Sequence, residues 1–222
     1  MELTPNLHAF LWTSPRANNC NTYLIRSPQK VVLIDPGHAA FFDHVHRGLE
    51  SLNLSLDDID LIICTHAHPD HIEAIKLFAG TTVPFTLHTA EWELVQNMAA
   101  FMKSAAPVDL SQFSPEFFLT EGELAICDIT IDVYHTPGHS PGGVTLFWQP
   151  AGALFTGDLI FNDGLGRTDL PGGDGIKLKE SIRRMASLKA DRLLPGHGEV
   201  VSGAEAVSAN FDQVEQVWFG YI

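Results

Sequence analysis

Apolar positions along this chain follow two periods, and the points where one gives way to the other mark its elements. Residues 21–26 (NTYLIR) and 31–34 (VVLI) are short runs rich in β-branched and aromatic side chains, and Ser27-Pro28 between them predicts the turn of a β-hairpin. After Asp35-Pro36-Gly37, residues 39–52 place Phe41, Phe42, Val45, Leu49 and Leu52 at helical intervals. Residues 61–64 (LIIC) are apolar throughout, as in a strand covered on both faces. A helix over 72–79 ended by Gly80, a strand over 83–87 and a helix over 90–105 ended before Pro107 are predicted next.

From 123 to 135 the apolar residues alternate, and 144–148, 153–156 and 192–194 add further strand signals. A glycine-rich loop covers 162–175, and helices are predicted over 176–188 and from 204 to about 217. Residues 107–120 form the seam between two halves, each opening with strands and closing with helices. Such a chain must bury two sheet faces and several helix stripes. That predicts an α/β fold of two sheets packed face to face with helices outside, in one domain over residues 1–222.

Composition changes this picture in three places. With 222 residues, 45% of them hydrophobic, and a mean hydropathy of +0.06, the chain can bury a large core and is too apolar for disorder. No apolar run approaches the roughly 20 residues of a spanning helix. The first thirteen residues lack the basic-then-apolar order of a secretory signal, so a cytoplasmic protein without membrane contact is expected. The net charge of −14, from 13 basic against 27 acidic residues and with no basic patch, argues against a nucleic-acid partner. Cys20, Cys64 and Cys127 are odd in number and widely spaced, so they read as small apolar residues rather than a disulfide or thiolate framework. Eleven histidines are many for this length, and they point to metal.

The segment Thr65-His66-Ala67-His68-Pro69-Asp70-His71 sets four potential ligands at the end of an apolar strand and the start of a helix. In extended backbone, side chains two apart share a face, so His66 and His68 can converge on one ion. Beyond Pro69 the chain turns, and Asp70 with His71 would present a second pair from the first helical turn, where a carboxylate also suits the helix N-terminus. Crowded beside an apolar strand, these groups would repel or sit desolvated without a cation. Three later segments, Gly138-His139, Gly157-Asp158 and Gly196-His197, each follow a strand, and glycine lets the backbone turn tightly at the tip.

Together these segments, from Asp35 to His197, resemble the signature of the metallo-β-lactamase superfamily, H-x-H-x-D-H followed by His, Asp and His on later loops. The resemblance implies an αββα sandwich of two mixed sheets flanked by helices. By position it implies that His66, His68 and His139 hold one metal, that Asp70, His71 and His197 hold a second, and that Asp158 bridges them. Asp70 and Asp158 become the candidate catalytic carboxylates, and Asp35 resembles the carboxylate that braces the ligand loop, with a plain Asp-Pro-Gly turn as the equal reading. Histidine and carboxylate ligands suit one or two divalent transition metals, Zn²⁺ first, with Fe²⁺ or Mn²⁺ as alternatives.

Antibiotic-hydrolysing members commonly carry a cysteine ligand where this chain has Asp158, which argues against that activity. The loop Gly166-Arg167-Thr168-Asp169 is similar to the G-R-[ST]-D segment of glyoxalase II-like thioester hydrolases and of persulfide dioxygenases. Arg167 is expected to pair with Asp169 and hold the loop carrying Asp158, or else to reach an anionic substrate. The resemblance thus implies hydrolysis of a small thiol conjugate of the S-acylglutathione type, with an Fe²⁺ persulfide dioxygenase or another metallo-hydrolase, a lactonase or phosphoesterase, as alternative. The tail after His197 lacks Lys and Arg, so weak dependence on glutathione is expected.

Trp92, Val95, Met98, Ala99 and Met102 form an apolar stripe, followed by Phe113, Phe117 and Phe118. Core packing is the first expectation, and a substrate entrance or homodimer face the alternative, which leaves monomer or homodimer open. The dense apolar end, with Phe211, Val214, Val217, Trp218, Phe219 and Tyr221, should dock on the chain's own body or on a partner. The charge balance generates a direct prediction: electrophoretic mobility of tRNA should not change with added protein at physiological salt, and a tight, salt-sensitive complex would refute it.

Overall fold

The computed structural model describes residues 1–101, 110 and 112–222, with residues 98–101 described by their backbone. The chain divides into two compact units, Met1–Leu119 with Ile126–Ile129, and Thr120–Ala125 with Thr130–Ile222. The expected α/β class is what the chain adopts: two large mixed sheets and, among the described residues, five α-helices.

In the first unit the order is β1 (Glu2–Thr4), β2 (Leu7–Phe10), β3 (Thr22–Arg26), β4 (Val31–Ile34), α1 (Asp43–Ser51), β5 (Leu61–Ile63), α2 (Pro69–Ile72), β6 (Phe85–His88), α3 (Thr89–Phe101) and β7 (Phe117–Leu119). The seven strands pair in sequence order, antiparallel from β1 to β4 and parallel from β4 to β7. The all-apolar strand β5 is buried at every position because it runs between two parallel neighbours. Trp92, Val95 and Phe113 of the apolar stripe pack on this unit's core, whereas Phe117 and Phe118 are exposed. The side chains of Met98 and Ala99, Met102, and the helix end expected at 102–105 lie outside the described residues.

The helix expected over 72–79 is a correction. α2 stops at Ile72 and a 3₁₀ helix continues over Glu73–Phe78. The carbonyls that should carry an α ladder are taken elsewhere: Asp70 O accepts the Cys20 amide at 3.3 Å and His71 O the Gly37 amide at 3.1 Å. The Ala74 amide in turn donates to Gly37 O at 2.7 Å. Binding the ligand segment to neighbouring loops interrupts the helix and tightens its next turns.

The second unit contains β8 (Gly122–Ile126), β9 (Ile129–His135), β10 (Val144–Trp148), β11 (Ala153–Gly157), β12 (Ile160–Phe161), β13 (Gly164–Leu165), α4 (Gly175–Ala186), β14 (Arg192–Pro195), β15 (Val201–Ser202) and α5 (Ala204–Trp218). Six strands form a sheet in the order β15-β14-β11-β10-β9-β8, and β12 with β13 forms a separate hairpin inside the glycine-rich loop. The alternating segment 123–135 is therefore two strands, parted at Cys127, whose φ of +53° supplies the turn without a glycine. At the chain's end Phe211, Val214 and Phe219 are buried, while Val217, Trp218 and Tyr221 remain exposed.

α4 carries the loop that precedes β10. Asp174 caps the helix through its side chain, and its amide donates to Gly138 O at 2.7 Å. Ser181 Oγ donates to Pro137 O at 2.8 Å, and a Cβ on Gly138 would lie 2.3 Å from Leu178 backbone. At the other end of α4, Arg184 donates to both Glu121 oxygens, at 2.7 and 2.8 Å, and holds that carboxyl down at about 2. A carboxylate depressed in the folded state stabilises above its unfolded value near 4.5 and loses that contribution as pH falls toward about 2. Because the pair is half exposed, its share is under about 1 kcal/mol. Urea unfolding of wild type and Glu121→Gln should therefore differ most above about pH 5 and converge as pH falls toward about 2; a constant difference would refute the assignment.

Candidate functional site

The first unit builds its part from sheet register. β4 and β5 are parallel with Ile34 opposite Ile63, so Asp35 leaves the sheet beside Thr65 and His66. Asp35, 2% exposed and left-handed at φ +54°, accepts the Thr65 amide and the Thr65 hydroxyl, each at 2.7 Å. Its Oδ2 also lies 2.9 Å from His71 Nδ1. A carboxylate oxygen only accepts, so His71 carries its proton on Nδ1 and directs the Nε2 lone pair away from Asp35. The Thr65 hydroxyl gives its proton to Asp35 and faces His66 Nδ1 at 3.2 Å, so His66 donates there and is oriented in the same sense.

Within this unit the structure brings His66, His68, Asp70 and His71 together. The His66 ring lies 4.8 Å from that of His68 and 4.0 Å from that of His71, centre to centre. Ligand atoms of His66 and His68, of His66 and His71, and of Asp70 and His71 lie within 4.8 Å of one another. His66, Asp70 and His71 are buried. Two helpers were not singled out from sequence. Asn18 donates to Asp70 Oδ2, and Glu91, fully buried in the first turn of α3, accepts the Ala67 amide at 2.7 Å. Asn18 sits in a loop and Glu91 in a helix, so neither had a local pattern to give it away.

The second unit repeats the device with different parts. β11 and β14 are parallel with Gly157 opposite Pro195, which sets Asp158 beside Gly196-His197. His139 Nδ1 donates to Arg167 O at 2.7 Å, so its Nε2 faces Asp158. Asp158 Oδ2 lies 3.4 Å from His139 Nε2, and Oδ1 lies 3.4 Å from His197 Nε2. That is long for a charge-assisted hydrogen bond. It is the separation of two ligand atoms that share a tetrahedral metal at bonds of about 2.0–2.1 Å, which works out at about 3.3 Å. Each Asp158 oxygen faces a different imidazole, the arrangement of a carboxylate that can span two ions. The donor set and its orientation thus fit divalent metal.

Arg167 and Asp169 pair with each other through two hydrogen bonds of 2.7 Å in an exposed loop, so the guanidinium is engaged there. What the loop gives the ligands is backbone: the Arg167 carbonyl, and Gly166, where a Cβ would fall 1.9 Å from Asp158 O and 3.0 Å from His139 Nδ1.

A fold of two mixed sheets with His and Asp ligands at strand ends defines a class of metal-dependent enzymes. Residues 15–197 match the metallo-β-lactamase superfamily, and the chain belongs to that superfamily. Its relatives place it among metallo-hydrolases. A protein of Methanocaldococcus jannaschii named "Probable metallo-hydrolase" is 34% identical, over 81% of this chain and 88% of its own length. The hydroxyacylglutathione hydrolase GloC of Haemophilus influenzae is 30% identical, over 86% of this chain and 91% of its own. Among solved structures, the B3 metallo-β-lactamase BLEG-1 is 30% identical with a TM-score of 0.71, covering 89% of this chain and 91% of that one. TTHA1623, solved in a di-iron-bound form, is also 30% identical at TM-score 0.71, covering 86% and 93%.

Asp35→Asn tests the brace. The amide offers one oxygen where two are used and turns an NH₂ toward donors that already need an acceptor. Affinity for Zn²⁺, read by competition with a chromophoric chelator, should fall about 10- to 100-fold. Unchanged affinity would mean that Asp35 only stabilises the turn.

Proposed function

We propose that this chain is a metal-dependent thioesterase that cleaves S-acyl conjugates of small thiols, with loose recognition of the thiol. The observation that carries the reading is Asp158, whose two oxygens address two imidazoles at equal distance. In this proposal His66, His68 and His139 would hold one divalent ion and Asp70, His71 and His197 a second, with Asp158 as a ligand common to both. Bound there, such ions lower the pKa of water to about 7 and polarise a carbonyl.

The rest is the work of the chain's own residues. Asp70, steadied by Asn18, takes the proton of the attacking water. The water oxygen bonds to the acyl carbon, the carbon–sulfur bond breaks, and the thiol part leaves as thiolate. Arg167 and Asp169 brace the loop under His139 rather than hold substrate. Helix α5 contains no Lys or Arg, which supports weak dependence on glutathione. The named activity of GloC supports the thioester class, and the likeness to the B3 metallo-β-lactamase BLEG-1 makes a β-lactam the second substrate to try.

The test compares S-lactoylglutathione cleavage, nitrocefin cleavage and oxygen uptake with glutathione persulfide, using protein loaded separately with Zn²⁺ and Fe²⁺. Thioester cleavage is expected to dominate, and Asp158→Ala should lose most of the metal and more than about 100-fold of the rate. Oxygen uptake that requires Fe²⁺, without thioester cleavage, would replace this reading by a persulfide dioxygenase. Nitrocefin turnover alone would replace it by a β-lactamase.

A further inference from the structure

The hairpin β12–β13 is linked to all three ligand residues of the second unit: by the chain to Asp158, through Arg167 to His139, and by a ring contact to His197. Its first strand begins two residues after Asp158, and its second strand ends two residues before Arg167, whose carbonyl receives the His139 Nδ1 proton. The root is closed by the Thr156 hydroxyl, which donates to Ile160 O at 2.9 Å, and by the Gly166 amide, which reaches Leu159 O at 3.4 Å. Phe161 turns its ring toward His197, with centroids 5.8 Å apart and planes at 78°. His197 is the most exposed of the three, at 25% against 7% for His139 and 11% for Asp158.

So short a hairpin is not stable by itself. Its tip also carries Asp163 in the left-handed region, at φ +57°. Helix α5 supplies what it lacks. Asn210, 6% exposed, accepts the Asp163 amide on Oδ1 and donates from Nδ2 to Phe161 O, both at 2.9 Å. Trp218 Nε1 donates to Asp163 O at 2.8 Å. One buried amide therefore holds the hairpin at the end of its first strand and at its tip, and the indole closes the third backbone group. Asn210 shares its helix with Phe211 and Val214, which anchor α5 in the unit's core.

We propose that Asn210 and Phe161 are positioning residues for His197: α5 fixes the hairpin through Asn210, and the hairpin fixes the imidazole through the edge of Phe161. This rests on the reading of His139, Asp158 and His197 as metal ligands. Neither Asn210 nor Phe161 is itself one of those ligands, and no step of the reaction uses them.

The test is Zn²⁺ titration of metal-free protein against a chromophoric chelator, with urea unfolding of each metal-free variant alongside. Asn210→Ala and Phe161→Ala should weaken the zinc equivalent that His197→Ala removes by about 10-fold or more, as loss of an orienting contact does. Phe161→Tyr keeps the aromatic edge and should bind as wild type. Val214→Ala destabilises the same helix through the core without removing any of the hydrogen bonds to the hairpin, and should leave zinc affinity unchanged. Wild-type affinity in both Asn210→Ala and Phe161→Ala would overturn the clamp, as would an equal loss in Val214→Ala. Should Asn210→Ala fail to fold, Phe161→Ala against Phe161→Tyr decides alone. Absence of zinc binding by the wild type would instead overturn the ligand reading beneath it.

Discussion

The first unit turns on one buried carboxylate. Asp35 accepts three hydrogen bonds, from the Thr65 amide, the Thr65 hydroxyl and His71, at the point where the β4–β5 ladder ends. Its left-handed backbone costs about 1–2 kcal/mol for a residue with a Cβ. Hydrogen bonds to a charged acceptor contribute about 1.5–3 kcal/mol each, so the three together outweigh that cost. The same bonds set the His71 tautomer and, through the Thr65 hydroxyl, the orientation of His66. The turn, the strand end and two imidazoles are thus one interaction.

The second unit reaches a similar end with a neutral brace. His139 is oriented by a backbone carbonyl, and Gly166 lets that carbonyl approach because no Cβ stands between it and Asp158. His71 has a carboxylate on its Nδ1 and His139 a carbonyl, so the two units orient Nε2 through different partners.

The segments that carry the candidate ligands stand out in the sequence because each combines several signals: an apolar strand, a tight turn, and a residue type that a soluble core does not otherwise crowd. His66 to His71 could be read from spacing alone, and so could the strands that lead to His139, Asp158 and His197. What spacing does not contain is which strands are neighbours. Parallel pairing of β4 with β5 and of β11 with β14 sets Asp35 at Thr65 and Asp158 at His197, and those are choices among distant segments. β1, β2, β7, β12, β13 and β15, of two to four residues each, were not read from the sequence. The helix expected over 72–79 failed for a tertiary reason. Its apolar spacing suits an α-helix, but the carbonyls of Asp70 and His71 bond to Cys20 and Gly37 instead. A tertiary demand from the ligand segment overrode local propensity. Asn210 shows the same limit, since nothing in an amphipathic helix marks the one amide that holds another element.

The last ladder bond of β5 is the Cys64 amide to Thr86 O, at 2.9 Å; beyond it the chain bends at Thr65 and His66 and leaves the sheet. There the amides of residues 65 and 67 still need acceptors. Neither finds a sheet. Asp35 takes the first and Glu91 the second, each at 2.7 Å, so two buried carboxylates replace the missing neighbour strand. Amide oxygens could have met that need with less desolvation. Carboxylates add negative charge beside a segment that presents imidazoles, and charge of that sign favours a divalent cation over a metal-free site. The requirement to satisfy backbone donors and the requirement to attract metal are met by the same two side chains, and for that reason the segment can leave its sheet without losing its shape.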